Sequence, residues 1–118
     1  MNELVERLSK GKHPVEVERA EGTAKDLKLR IDEHNYVHIL FKKTGTEIGI
    51  KLDRENCIFS KGDFQKGTGT IQLSGGLTLN YERVRCIADI NLKTLQGKGY
   101  LLSISEKEYN SFMQQGEL

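Results

Sequence analysis

Two basic groupings stand out among the side chains able to do chemistry. Arg83 and Arg85 are two residues apart, so on a strand they point the same way, and Lys42-Lys43 ends a separate alternating run. Forked guanidinium donors suit a phosphate or carboxylate, and an ammonium adds a point charge. Arg83, Arg85, Lys42 and Lys43 are therefore the candidate ligand- or partner-binding residues. Glu82, Asp89, Glu47 and Asp26 are interspersed with these bases and with Lys28 and Arg30. Cross-strand ion pairing on a wetted sheet face competes for the same groups. Tyr36 and Tyr81 are the only aromatics nearby, a thin stacking platform for single-stranded nucleic acid.

The other motifs fail on spacing or context. Lys61-Gly62-Asp63-Phe64-Gln65-Lys66-Gly67-Thr68-Gly69 has the glycine content of a phosphate cradle. Gly62 and Gly67 are spaced as in a P-loop, but Thr68 stands where the lysine belongs, and a strand-like run follows where a helix should open. Gln72 replaces the third glycine of a dinucleotide fingerprint, so the stretch reads as a surface loop. His13, His34 and His38 with Cys57 and Cys86 contain no close cysteine pair, and a zinc site needs three or four converging donors. Cys86 falls on the apolar side of its run and reads as a small hydrophobe, while Cys57 lies in a turn. The expectation is no catalytic residue, no metal and no cofactor.

Positioning these groups falls to a chain that is mostly strand. From Val84 to Leu92 every second residue is apolar (Val84, Cys86, Ala88, Ile90, Leu92), with Arg85, Asp89 and Asn91 between and Ile87 the exception. That alternation describes a sheet with one dry and one wet face. Tyr36–Phe41 and Ile48–Leu52 alternate around Gly45 and predict a hairpin. Leu77, Leu79 and Tyr81 follow Gly75-Gly76, which predicts a second hairpin turn at those glycines. The apolar phase changes from odd to even numbers after Tyr81, which predicts a β-bulge near Glu82-Arg83. Thr23–Glu33 is ambiguous: Leu27, Leu29 and Ile31 alternate as in a strand, whereas Thr23 and Asp26 are placed to cap a helix. Periodicity favours the strand. A short helix starts at an Asn2 cap and stops before Gly11 and Pro14. Ser105-Glu106-Lys107-Glu108 is a capping box opening an amphipathic helix with Tyr109, Phe112 and Met113 on one side and Gly116 at its end.

The predicted fold is mainly β, of α+β type: a strongly bent antiparallel sheet or small β-barrel of about seven or eight strands. A short N-terminal helix and an amphipathic C-terminal helix flank it, and residues 1–118 form a single domain. Eighteen basic against seventeen acidic residues leave a net charge of +1, without the basic excess of a protein that grips a phosphate backbone. Met1–Lys10 carries Glu3, Glu6 and Arg7 where a signal peptide needs an apolar core, and two cysteines are too few for a disulfide scaffold. The expectation is a cytoplasmic, non-catalytic binding or accessory module that contacts a protein partner or a small anionic ligand through a sheet face. Its rivals are a small-barrel enzyme using Cys57, a histidine or Tyr36 in a pocket inside the sheet, and a nucleic-acid binder. Exposed strand edges near Val15–Glu18 would allow a homodimer.

Overall fold

The computed structural model describes the backbone of residues 3–115 and the side chains of residues 3–111. Alternating runs become seven strands: β1 (His13–Val17), β2 (Tyr36–Phe41), β3 (Thr46–Leu52), β4 (Gly62–Asp63), β5 (Thr68–Leu79), β6 (Glu82–Asn91) and β7 (Gln96–Ser103). Six of them close into an antiparallel barrel in the order β3-β2-β1-β7-β6-β5, with β3 returning to β5 through Lys51↔Gly76 and Leu52↔Gly75. β4 stays outside and pairs with β5. The inward residues, among them Val15, Ile39, Phe41, Ile50, Leu73, Val84, Ile90 and Leu101, are buried and aliphatic or aromatic. Burying each contributes roughly 1.5–3 kcal/mol. The described inward residues thus form one apolar core.

The glycine pair is not a turn. β5 runs unbroken through Gly75 and Gly76, pairing with β6 on one side and with β3 on the other. A Cβ on Gly75 would lie 2.5 Å from the carbonyl oxygen of Lys51, so glycine is needed for the close backbone approach that closes the barrel. The hairpin turns instead at Asn80 and Tyr81, both at positive φ (48° and 69°), as a two-residue turn of the primed type requires. Leu79 pairs with Glu82 and Leu77 with Val84. Odd positions therefore face even ones, and the phase change follows from the turn with no bulge.

Residues 24–34 are a helix, not a strand. α2 (Ala24–His34) opens on a capping box in which Thr23 Oγ1 accepts from the Asp26 amide and the Asp26 carboxylate accepts from the Thr23 amide. It ends at Asn35, which is left-handed at φ 52°. Ala24, Leu27 and Ile31 are buried on one face, and Leu29, the residue that made the strand pattern, is 56% exposed. Capping and propensity outweighed a short alternation.

α1 (Glu3–Leu8) buries Val5 and Leu8 and lies against β7. α3 (Glu106–Gln115) lies against β3, β5 and β6. Ser105 Oγ accepts from the Glu108 amide, but the Glu108 carboxylate, expected to reach back, instead takes the Arg85 guanidinium at 3.0 Å. The side chains of Phe112 and Met113, with Asn2 and Gly116, fall outside the described residues. β1 is paired on both sides, by β2 and β7, so the edge expected near Val15–Glu18 is not open to a second chain.

Candidate functional site

Between β1 and α2 the chain forms a strap in which Glu18, Arg19 and Ala20 are all left-handed (φ 51°, 58° and 55°). An L-residue adopts that conformation at roughly 1–2 kcal/mol, so three in succession need external ties. Glu18 supplies them. One carboxylate oxygen accepts from the His38 backbone amide at 2.7 Å and from His38 Nδ1 at 3.2 Å, and the other meets Arg30 Nε at 2.9 Å. Arg19 forks onto Glu47 through Nε at 3.0 Å and through a terminal nitrogen at 2.9 Å. These residues, with Glu21, Asp26 and Leu27, line a cleft of about 220 Å³. Its Glu18, Asp26 and Glu47 carboxylates are engaged by neighbours, and its two guanidiniums are spent on Glu18 and Glu47.

On the other side of the strap lies a cleft of about 400 Å³ with a different charge state. Three segments distant in sequence build it. The first turn of α2 brings Thr23 and Lys25, the β4–β5 loop brings Phe64, Gln65, Lys66 and Gly67, and the β6–β7 turn brings Lys93 and Thr94. In the loop, Asp63 Oδ1 accepts from the Lys66 amide at 3.0 Å and the Asp63 carbonyl accepts from the Gly67 amide at 2.8 Å. Gly67 supplies the positive φ (66°) that turns the chain beside Ala24. The β6–β7 turn repeats the device: Asn91 Oδ1 accepts from the Lys93 amide at 2.8 Å. Leu92, Leu95 and Ala24 are buried beneath.

Lys25, Lys66 and Lys93 line this cleft, and among the described residues no carboxylate does. None of the three is ion-paired among the described residues. The nearest acids in sequence, Asp26 and Asp63, are turned to Thr23 and to the backbone of Lys66. Such an arrangement attracts a small anion over a distance set by the Debye length, about 8 Å at 0.15 M salt. The glycine-rich loop does meet the first turn of a helix here, one that the chain supplies from the other end of the fold. The capping box already uses amides of that turn, so the charge of the cleft comes from its lysines.

The four basic residues singled out from the sequence are not brought together. Arg85 is nearly enclosed: it donates to Ser74 Oγ at 2.8 Å, lies 3.4 Å from Asp53 Oδ2 and 3.0 Å from Glu108 Oε1. Arg83 sits 3.8 Å from Glu106 and over the Tyr109 ring at 5.8 Å. Lys42 lies at the far end of the barrel wall, against Glu16 at 3.4 Å and Gln96 at 3.2 Å, and Lys43 is exposed in the adjoining turn. Arg85 is opposite Leu102 and Gln96 is six residues away along β7, about 20 Å of strand.

The thiols are poorly placed for nucleophilic work. Burial pushes Cys86 up to about 12. Burial also raises Cys57, whose sulfur contacts the Ser74 amide at 3.3 Å and the Ser74 carbonyl at 3.5 Å. Both cysteines are free. Among the described residues no group of three or more histidine, cysteine or acidic side chains converges as a metal site would require, and no helix is long and apolar enough to cross a membrane.

Set against known proteins, the chain matches no family profile and no curated protein. The cleft lysines escaped sequence reasoning because they come from three segments distant in sequence. The one usable signal was the Asp63/Asn91 pair of turn-initiating residues, each followed within three positions by a lysine.

Proposed function

We propose that this protein is a non-catalytic binding module that takes a small anionic ligand in the cleft of Lys25, Lys66 and Lys93. The observation that supports it is that three lysines with no ion pair among the described residues line one concavity, in a chain whose net charge is only +1. Each exposed ion pair with a ligand contributes about 0.2–1 kcal/mol. Binding is accordingly modest, and strongest at low ionic strength. The two unbridged thiols fit a reducing cytoplasmic setting. Titration of the protein with inorganic phosphate, followed by amide chemical shifts, tests the reading: shifts centred on residues 23–25, 65–67 and 93–95 support it, and shifts centred on Arg83 or Lys42 overturn it.

A second reading, contact with a protein partner, is favoured by Tyr81. Its side chain is fully exposed (101%) at the β5–β6 turn, at a φ that normally selects glycine. A large aromatic kept at that cost is a natural contact residue. Tyr81→Gly relaxes the turn and should raise stability by about 1 kcal/mol. Loss of a partner captured by the wild type but not by this more stable variant supports contact through Tyr81, and equal capture opposes it.

A further inference from the structure

We infer that the ligand of the lysine cleft is an amphipathic anion, its charged head held by Lys25, Lys66 and Lys93 and a short apolar tail lying past Phe64. The inference rests on the anion-binding reading above and adds the ligand's class. Phe64 lines two concavities at once. On one side is the lysine cleft. On the other is a slot of about 250 Å³ whose apolar walls are Ile31, Phe59 and Phe64 itself. The two aromatic rings meet edge-on, with centroids 6.1 Å apart and planes at 61°.

The half-buried Phe64 ring therefore borders both spaces, and it is the residue they share. Ala24 floors the cleft and Ile31 the slot, and both belong to the buried face of α2. Charge divides the two spaces. At the rim of the slot, Lys28 meets Asp32 at 2.6 Å, while Arg54 lies 3.8 Å from Asp32 and donates to Asn35 Oδ1 at 2.9 Å. The cations of the slot are thus occupied, whereas those of the cleft have no ion pair among the described residues. An inorganic anion uses the lysines and gains nothing from the half-buried rings of Phe59 and Phe64. A ligand with an anionic head and an apolar tail uses both spaces.

The test is a calorimetric series on the wild-type protein with inorganic phosphate, ethyl phosphate and hexyl phosphate, with hexanol as the uncharged control. The expected result is affinity rising by about threefold for each methylene that enters the slot, with hexanol failing to bind. Equal affinity for all three phosphates overturns the tail and leaves the anion site standing. Failure of all three overturns both. Phe59→Gln, on the side of the slot away from the lysines, should abolish the chain-length dependence and leave inorganic phosphate unaffected; an unchanged dependence places the tail elsewhere and overturns the inference. Phosphatidylcholine vesicles containing phosphatidic acid separate a bilayer source of this chemistry from a soluble one. The slot fits a short chain, so the protein should stay in the supernatant. Co-sedimentation without hexyl phosphate binding overturns the soluble form.

Discussion

The two clefts beside the strap differ most in how their charge is used. Both lie against α2 and both are rimmed by charged side chains. In the smaller one, Glu18 and Glu47 neutralise Arg30 and Arg19 and hold a backbone that would otherwise leave its left-handed conformation. In the larger one, the turns are held by Asp63 and Asn91 through backbone amides, and the side chains of Lys25, Lys66 and Lys93 form no ion pair among the described residues. Charge that ties the fold together is unavailable to a ligand. Charge left over is available. The contrast is sharper than local charge density, because the smaller cleft has more ionisable groups than the larger.

If that division is right, each cleft should fail in its own assay. Glu18→Ala should give the largest loss of stability, about 2–3 kcal/mol by urea unfolding. It removes a mostly buried carboxylate with three donors and unties three left-handed residues. Phosphate affinity should survive it. The triple variant Lys25→Gln/Lys66→Gln/Lys93→Gln should do the converse, weakening phosphate binding by about 10- to 100-fold while the melting temperature stays nearly constant. Ala20→Gly, in the strap between the clefts, should stabilise by about 1 kcal/mol, since glycine accepts φ 55° without a Cβ clash. Equal stability would mean that the left-handed strap stores no strain.

The thiols belong to neither cleft and make a control. The folded Cys57 and Cys86 thiols lie above the ordinary value, so protonation is favoured by folding. That stability is present below pH 9 and is lost as pH rises from 9 toward about 12. Alkylation of Cys57 should accordingly be slow at neutral pH and accelerate with rising alkalinity. A rate already at its plateau at neutral pH would mark an activated nucleophile.

The barrel itself was legible because burial of one sheet face imposes a period of two on the residues of each strand, visible from Val84 to Leu92 with only Ile87 out of phase. What misled were residues with two physical uses. Gly75-Gly76 serves a turn or a close backbone approach equally well, and only the return of β3 onto β5 decides between them. Leu27, Leu29 and Ile31 alternate whether or not Thr23 and Asp26 cap a helix. Asn80-Tyr81 lacked the glycine that announces a primed turn. The candidate site was less legible still. Arg83 and Arg85 were conspicuous because alternate residues on a strand share a face, yet carboxylates brought from α3 and from the turn after β3 are what occupy them. Lys25, Lys66 and Lys93 meet only through tertiary structure, and no local pattern records that.

The division of labour between the clefts is tested most directly by a phosphate titration of the wild-type protein and the triple lysine variant, at low and at about 0.15 M ionic strength. Wild-type affinity should weaken as salt rises, and the variant should show little binding at either. Wild-type affinity indifferent to salt, or a variant that binds as tightly as the wild type, would contradict the assignment of spare charge to this cleft.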